Sequence, residues 1–174
     1  MQLRATIMLI RAAEHCTKSP RPGLLSSIGA SRARELPGLF GARGVDGRGA
    51  LPMPEFIFVC GSAEALTSVE RETVSPLARA SNISIDEDYG LGEEHRLVGN
   101  VEAIGATVLI CWPLSAIPLI ARLVLRNEAF SVGWPEGRFD LIWSFVWDSD
   151  RGAYRFGERI QRISSDSGAD PGTG

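Results

Sequence analysis

Apolar residues along the chain fall in short blocks, separated by polar or glycine- and proline-rich stretches, and the block lengths alternate between those of strands and helices. Residues 6–10 (Thr-Ile-Met-Leu-Ile) run apolar without interruption up to Arg11, the pattern of a strand buried on both faces of a parallel sheet. A polar stretch with Pro20, Pro22 and Gly23 follows and reads as loop. Helical spacing resumes over 27–40, with Ser26 or Ser27 as the capping residue. Residues 41–54 hold four glycines and two prolines; they match no phosphate-binding loop and read as a connector.

The second half repeats the alternation. A strand is predicted at 56–60, a helix at 67–80 kinked at Ser75-Pro76, a short strand at 83–85 and a helix at 93–104. The most strongly apolar strand is 107–112, followed by a helix at 115–126 with Pro118 tolerated in its first turn. Residues 139–147 and 153–163 bracket Asp-Ser-Asp-Arg-Gly and read as a hairpin. This order implies a three-layer α/β/α sandwich with a mostly parallel sheet, one domain over 1–163, and a disordered polar tail over 164–174.

Composition narrows the function. The chain has 174 residues, 44% apolar and 22% charged, enough to bury a sizeable core. A net charge of −3 offers no basic excess for phosphates, so nucleic acid is not an expected partner. Residues 106–125 are long and apolar, but Pro113, Pro118 and Arg122 interrupt them, so they read as strand, turn and helix rather than a membrane span. The apolar segment at 5–10 is too short for a signal-peptide core, and a cytoplasmic protein is expected. Cys16, Cys60 and Cys111 are odd in number and widely spaced, which fits a reducing compartment.

Searches for familiar chemistry return little. There is no nucleophile elbow, Walker loop or dinucleotide fingerprint, and only His15 and His95 are present, so neither a metal site nor a cofactor is expected. Arg21 follows Cys16 one position too soon for a thiol-phosphatase anion loop.

One ordered series does stand out. Ile7-Met8-Leu9-Ile10-Arg11-Ala12-Ala13-Glu14 resembles the first-strand signature of the histidine phosphatase superfamily, the phosphoglycerate-mutase-like fold. Residues 29–34 resemble that family's first helix, and 72–78 its second. Val108-Leu109-Ile110-Cys111-Trp112, with Ile117-Pro118 after it, resembles a late strand, and Trp134-Pro135 and Phe139-Asp140 continue the likeness. The resemblance implies a phosphate pocket built from a histidine nucleophile after the first arginine, a second arginine and a second histidine. Position by position, Arg11 matches the first arginine, while Ala12, Val69 and Leu114 stand where the other three are expected. The implied fold is thus retained and the implied activity is not.

A pocket so altered is apolar with one guanidinium, which needs a partner such as Glu14 or a ligand carboxylate. Arg11, Ala12, Val69, Leu114 and Trp112 are the candidate ligand-binding residues, and Glu14, His15 and His95 the candidate proton-handling ones. For His15 and Arg71 a solvated surface place is favoured over rescue of the lost pocket groups, and for His95 a helix-start role. Glu93-Glu94 and Asp86-Glu87-Asp88 read as solvated turns and helix starts; Trp143 and Trp147 share a strand face.

The leading expectation is a repurposed member that binds a small, partly apolar or carboxylate-bearing molecule and transforms it by acid/base chemistry, in specialised biosynthesis. The alternatives are a pocket filled by side chains in a non-catalytic scaffold or regulatory pseudophosphatase, and a residual phosphomonoesterase.

Overall fold

The strand β1 (Thr6–Ile10) sits inside the sheet, and the alternation of its side chains divides the molecule into two cores. Ile7 and Leu9 point into one core, Met8 and Ile10 into the other. The computed structural model describes residues 6–15, 24–41, 51–62 and 68–162. Within them follow α1 (Ser27–Glu35), a 3-10 turn (Leu36–Leu39), β2 (Phe56–Val59), α2 (Val69–Ser81), β3 (Ile85–Asp86), α3 (Glu94–Ile104), β4 (Val108–Cys111), α4 (Ile117–Leu125), β5 (Leu141–Asp148) and β6 (Ala153–Ile160).

The sheet order is β3-β2-β4-β1-β5-β6. The pairs β3–β2, β2–β4 and β4–β1 are parallel, while β5 and β6 run antiparallel along one edge. β4 repeats the division made by β1: Val108 and Ile110 face α3 and α4, and Leu109 and Cys111 face α2 and the 3-10 turn. Helices on both faces of a mostly parallel sheet make this a three-layer α/β/α fold.

Local chemistry explains where the elements differ from their predicted bounds. The helix predicted over 27–40 ends at Glu35, because Pro37 lacks an N–H and the chain tightens into the 3-10 turn. Ser26 is its cap, accepting a hydrogen bond from the Gly29 amide. Gly29 also approaches the chain after β1 so closely that a Cβ there would overlap the Glu14 carbonyl oxygen. In α2, Pro76 does not end the helix, which runs through to Ser81 and closes on Asn82 in the left-handed region. Ile83 still donates to the Ala78 carbonyl, so the short strand begins two residues later than predicted. The turn at 148–152 is fastened by Asp148, whose Oδ1 accepts from the Asp150 and Arg151 amides.

No helix among the described residues is long and apolar enough to cross a membrane. The predicted tail at 164–174, most of the connector at 41–54, Cys16 and Thr67 lie outside the described residues.

Candidate functional site

The sheet carries its parallel strands' carboxyl ends to one side, where open α/β sheets bind ligands. Pairing of β1 with β4 continues one step past the strands, through a hydrogen bond from the Trp112 amide to the Ile10 carbonyl, which sets Arg11 beside Trp112. Thr73 brings the third wall in. Its Oγ1 accepts from the Ala13 amide at 2.9 Å and donates to the Val69 carbonyl at 2.7 Å, fastening the start of α2 to the chain leaving β1. A cavity of about 300 Å³ opens between these segments.

Five positions singled out from the sequence line it together: Arg11, Ala12, Val69, Trp112 and Leu114. His15 lines it as well, with Nδ1 3.0 Å from the Ala13 carbonyl oxygen, so the surface place favoured for it gives way to one on the cavity wall. Next to His15, Ser26 binds the Glu14 carbonyl through both its amide and its hydroxyl, which ties this stretch to the start of α1.

Glu14 turns away from Arg11. It pairs with Arg32 on α1, with Oε1 2.7 Å from Nη2 and Oε2 3.0 Å from Nε. Burial alone would raise its pKa, but hydrogen bonds from Arg32 and the backbone, with the guanidinium charge, hold the carboxyl below its ordinary value. Such a group stays ionised and is poorly suited to carry protons. Arg11 finds other partners than the expected Glu14. Nη1 donates to the Glu136 carbonyl at 2.5 Å, and the guanidinium lies 3.9 Å over the Phe139 ring. Burial draws the Arg11 pKa down, and the nearby charges of Glu14 and Glu136 oppose that shift. His95 is exposed in the first turn of α3 and does not line the cavity. Arg71 also faces away, paired with Glu87.

Two acidic residues fill roles that the sequence reading did not assign. Glu70, one residue past Val69, is 9% exposed and lines the cavity. Glu94, read as a solvated helix start, is 2% exposed; Oε1 accepts from the Trp112 indole at 3.1 Å and both oxygens lie near the Gly92 amide. The Trp112 N–H is thereby satisfied within the protein, and its ring is fixed behind the cavity. An acid in the first turn of a helix ordinarily reads as a partner of the helix dipole, so only the packing reveals these two. Cys60 is also near this end, and burial pushes its thiol up to about 11, which makes it unreactive at neutral pH.

A larger and more open groove, about 660 Å³, lies between α2 and β3 and is lined by Arg71, Ser75, Arg79 and Ser84. The smaller cavity is the stronger candidate, because it lies at the strands' carboxyl ends and gathers buried charge among apolar walls. No group of metal-ligating side chains occurs among the described residues.

Comparison with solved structures supports the fold. The chain is similar to the protein histidine phosphatase SixA, solved in complex with tungstate, with a TM-score of 0.60 at 13% identity over 90% of this chain and 97% of that one. It is also similar to the alpha-ribazole phosphatase from Shigella flexneri, with a TM-score of 0.55 at 10% identity over 86% and 94% of the two chains. No family model and no curated protein sequence matches the chain. The likeness is one of fold, and it agrees with the α/β/α architecture that the ordered sequence signatures imply.

Proposed function

We propose that this chain uses a histidine-phosphatase fold without phosphohistidine chemistry, and binds a small, partly apolar, carboxylate-bearing molecule that it transforms by acid/base chemistry. One observation carries the reading. Ala12, Val69 and Leu114, which replace the expected histidine, arginine and second histidine, line a cavity that stays open at about 300 Å³ with Arg11 on its wall. Phosphoryl transfer needs a nucleophile and several cationic groups around the transferring oxygens. Three apolar side chains at those places cannot supply them. They suit an apolar ligand body, and Arg11 suits a carboxylate. An open cavity also favours ligand binding over the scaffold reading, which calls for a filled one.

A second reading has one observation in its favour. His15 shares the cavity wall with Arg11, and a relocated imidazole nucleophile would leave residual phosphomonoesterase activity.

Hydrolysis of p-nitrophenyl phosphate separates the two. We expect no turnover by the unmodified protein, Arg11→Ala or His15→Ala, each checked for folding by circular dichroism. Turnover by the unmodified protein that either substitution abolishes would establish the second reading instead. In parallel, 4-methylpentanoate should raise the thermal midpoint of the unmodified protein. Arg11→Ala should weaken that binding by roughly 1.5–3 kcal/mol, the usual worth of a hydrogen bond to a charged group. Absence of both turnover and carboxylate binding would favour the scaffold.

A further inference from the structure

The cavity holds a second fixed charge. Glu70 is more than nine-tenths buried, and its carboxylate has no hydrogen bond or ion pair with any described residue. Its oxygens are not among the buried, unsatisfied polar atoms of the described residues, so they are open to the cavity and available to a bound species. Glu70 lies in the first turn of α2, where the unpaired amides of the helix start attract negative charge. Arg11 borders the same cavity and makes no ion pair with Glu70. The guanidinium is held elsewhere by the Glu136 carbonyl and the Phe139 ring, so the two charges remain apart, and most of the five guanidinium donors are left over.

We propose that this cavity recognises an apolar zwitterion of amino-acid type, with Arg11 receiving its carboxylate and Glu70 its ammonium group. The inference rests on the carboxylate-binding reading above and adds the cationic half of the ligand. A ligand with a carboxylate alone would bring a second anion into the cavity and leave Glu70 unsatisfied. A ligand with an ammonium alone would leave Arg11 unanswered. A molecule carrying both satisfies both, and its side chain meets Ala12, Val69, Leu114 and the ring of Trp112, whose N–H is already committed to Glu94. The cavity volume, at the lower end of small-molecule sites, matches a ligand of that size.

The test is calorimetric titration of the full chain and of Glu70→Gln with three probes of one shape: leucine, 4-methylpentanoate and 3-methylbutylamine. Leucine is expected to bind the unmodified protein at least about tenfold more tightly than either probe lacking one charge, as follows when a buried charged group is left unpaired. In Glu70→Gln the preference for leucine over 4-methylpentanoate should vanish, while binding of 4-methylpentanoate itself holds or improves. Equal or tighter binding of 4-methylpentanoate by the unmodified protein overturns the zwitterion and leaves the carboxylate reading standing. Binding of none of the three overturns both. The ratio measured on the unmodified protein decides the matter even where Glu70→Gln does not fold.

Discussion

Glu14 and Glu70 are two carboxylates packed near the end of the same strand, and their surroundings are built in opposite ways. Around Glu14 every charge has an answer within the protein: Arg32 reaches both carboxylate oxygens, and Ser26 holds the Glu14 carbonyl with two hydrogen bonds. Glu70 shares its cavity with Ala12, Val69 and Leu114 and with Arg11, which is held by the Glu136 carbonyl and the Phe139 ring, and Glu70 makes no ion pair with any described residue. The first cluster ties the residues just after β1 to the start of α1. Glu70 makes no such bond with any described residue and is open to a ligand. Buried charge alone does not identify a site; buried charge that the protein leaves unanswered does.

The comparison breaks most visibly at Arg32, which is almost fully buried against Glu14. Arg32→Met leaves a largely buried carboxylate uncompensated and is expected to cost about 2–4 kcal/mol, read from the midpoint of urea unfolding. Adding Glu14→Gln to it should recover part of that loss, because the stranded charge is then removed. A loss well under 1 kcal/mol would mean that the pair is not structural.

A smaller effect of the same cluster appears in acid. Burial pushes the Glu14 pKa up, but hydrogen bonds and charge from Arg32 outweigh it, and the folded value lies below the ordinary 4.5. Asp140, held by Arg138 at 2.6 Å, is likewise below its ordinary 3.8. A carboxyl lowered in the folded state stabilises above its unfolded pKa, and that stabilisation is lost as pH falls through the folded one. Between about pH 5 and pH 3 the unmodified protein should therefore lose stability more steeply than Glu14→Gln. Parallel curves for the two proteins would show that the pair contributes nothing to acid sensitivity.

Much of the fold was legible in the chain because its determinants are local. β1 from Ile7 onward and all of β4 are buried on both faces, so each is apolar at every position there. The convergence of Ala12, Val69 and Leu114 could be anticipated because they occupy fixed places in an ordered series of signatures. The partners of the charged residues could not. Arg11 is held by Glu136 and Phe139, more than 120 positions away, and Glu14 by Arg32, whose approach depends on Gly29 letting α1 lie against the chain after β1. His15 stands on the cavity wall next to Glu14, whose carbonyl is held by Ser26, eleven residues further along the chain from His15. Glu70 and Glu94 look alike in sequence, as acids opening helices. One ends beneath an indole N–H and the other on the wall of a cavity, and nothing in their neighbours along the chain separates the two.

The smallest expected effect is the most discriminating. Glu70→Gln removes a charge from an apolar wall without removing any partner that the described residues provide. It relieves the desolvation of a carboxylate, and it gives up an attraction to the α2 helix start of about 0.3–1 kcal/mol. These terms oppose each other, so the unfolding free energy should change by no more than about 0.5 kcal/mol in either direction. The same exchange at Glu14 removes the charge in the Arg32 pair and must cost clearly more. Measured side by side by urea unfolding, the two glutamine variants compare a carboxylate that holds the fold with one that the fold leaves free. Equal losses at both positions would mean that Glu70 is structural after all, and the distinction between the two clusters would fall with it.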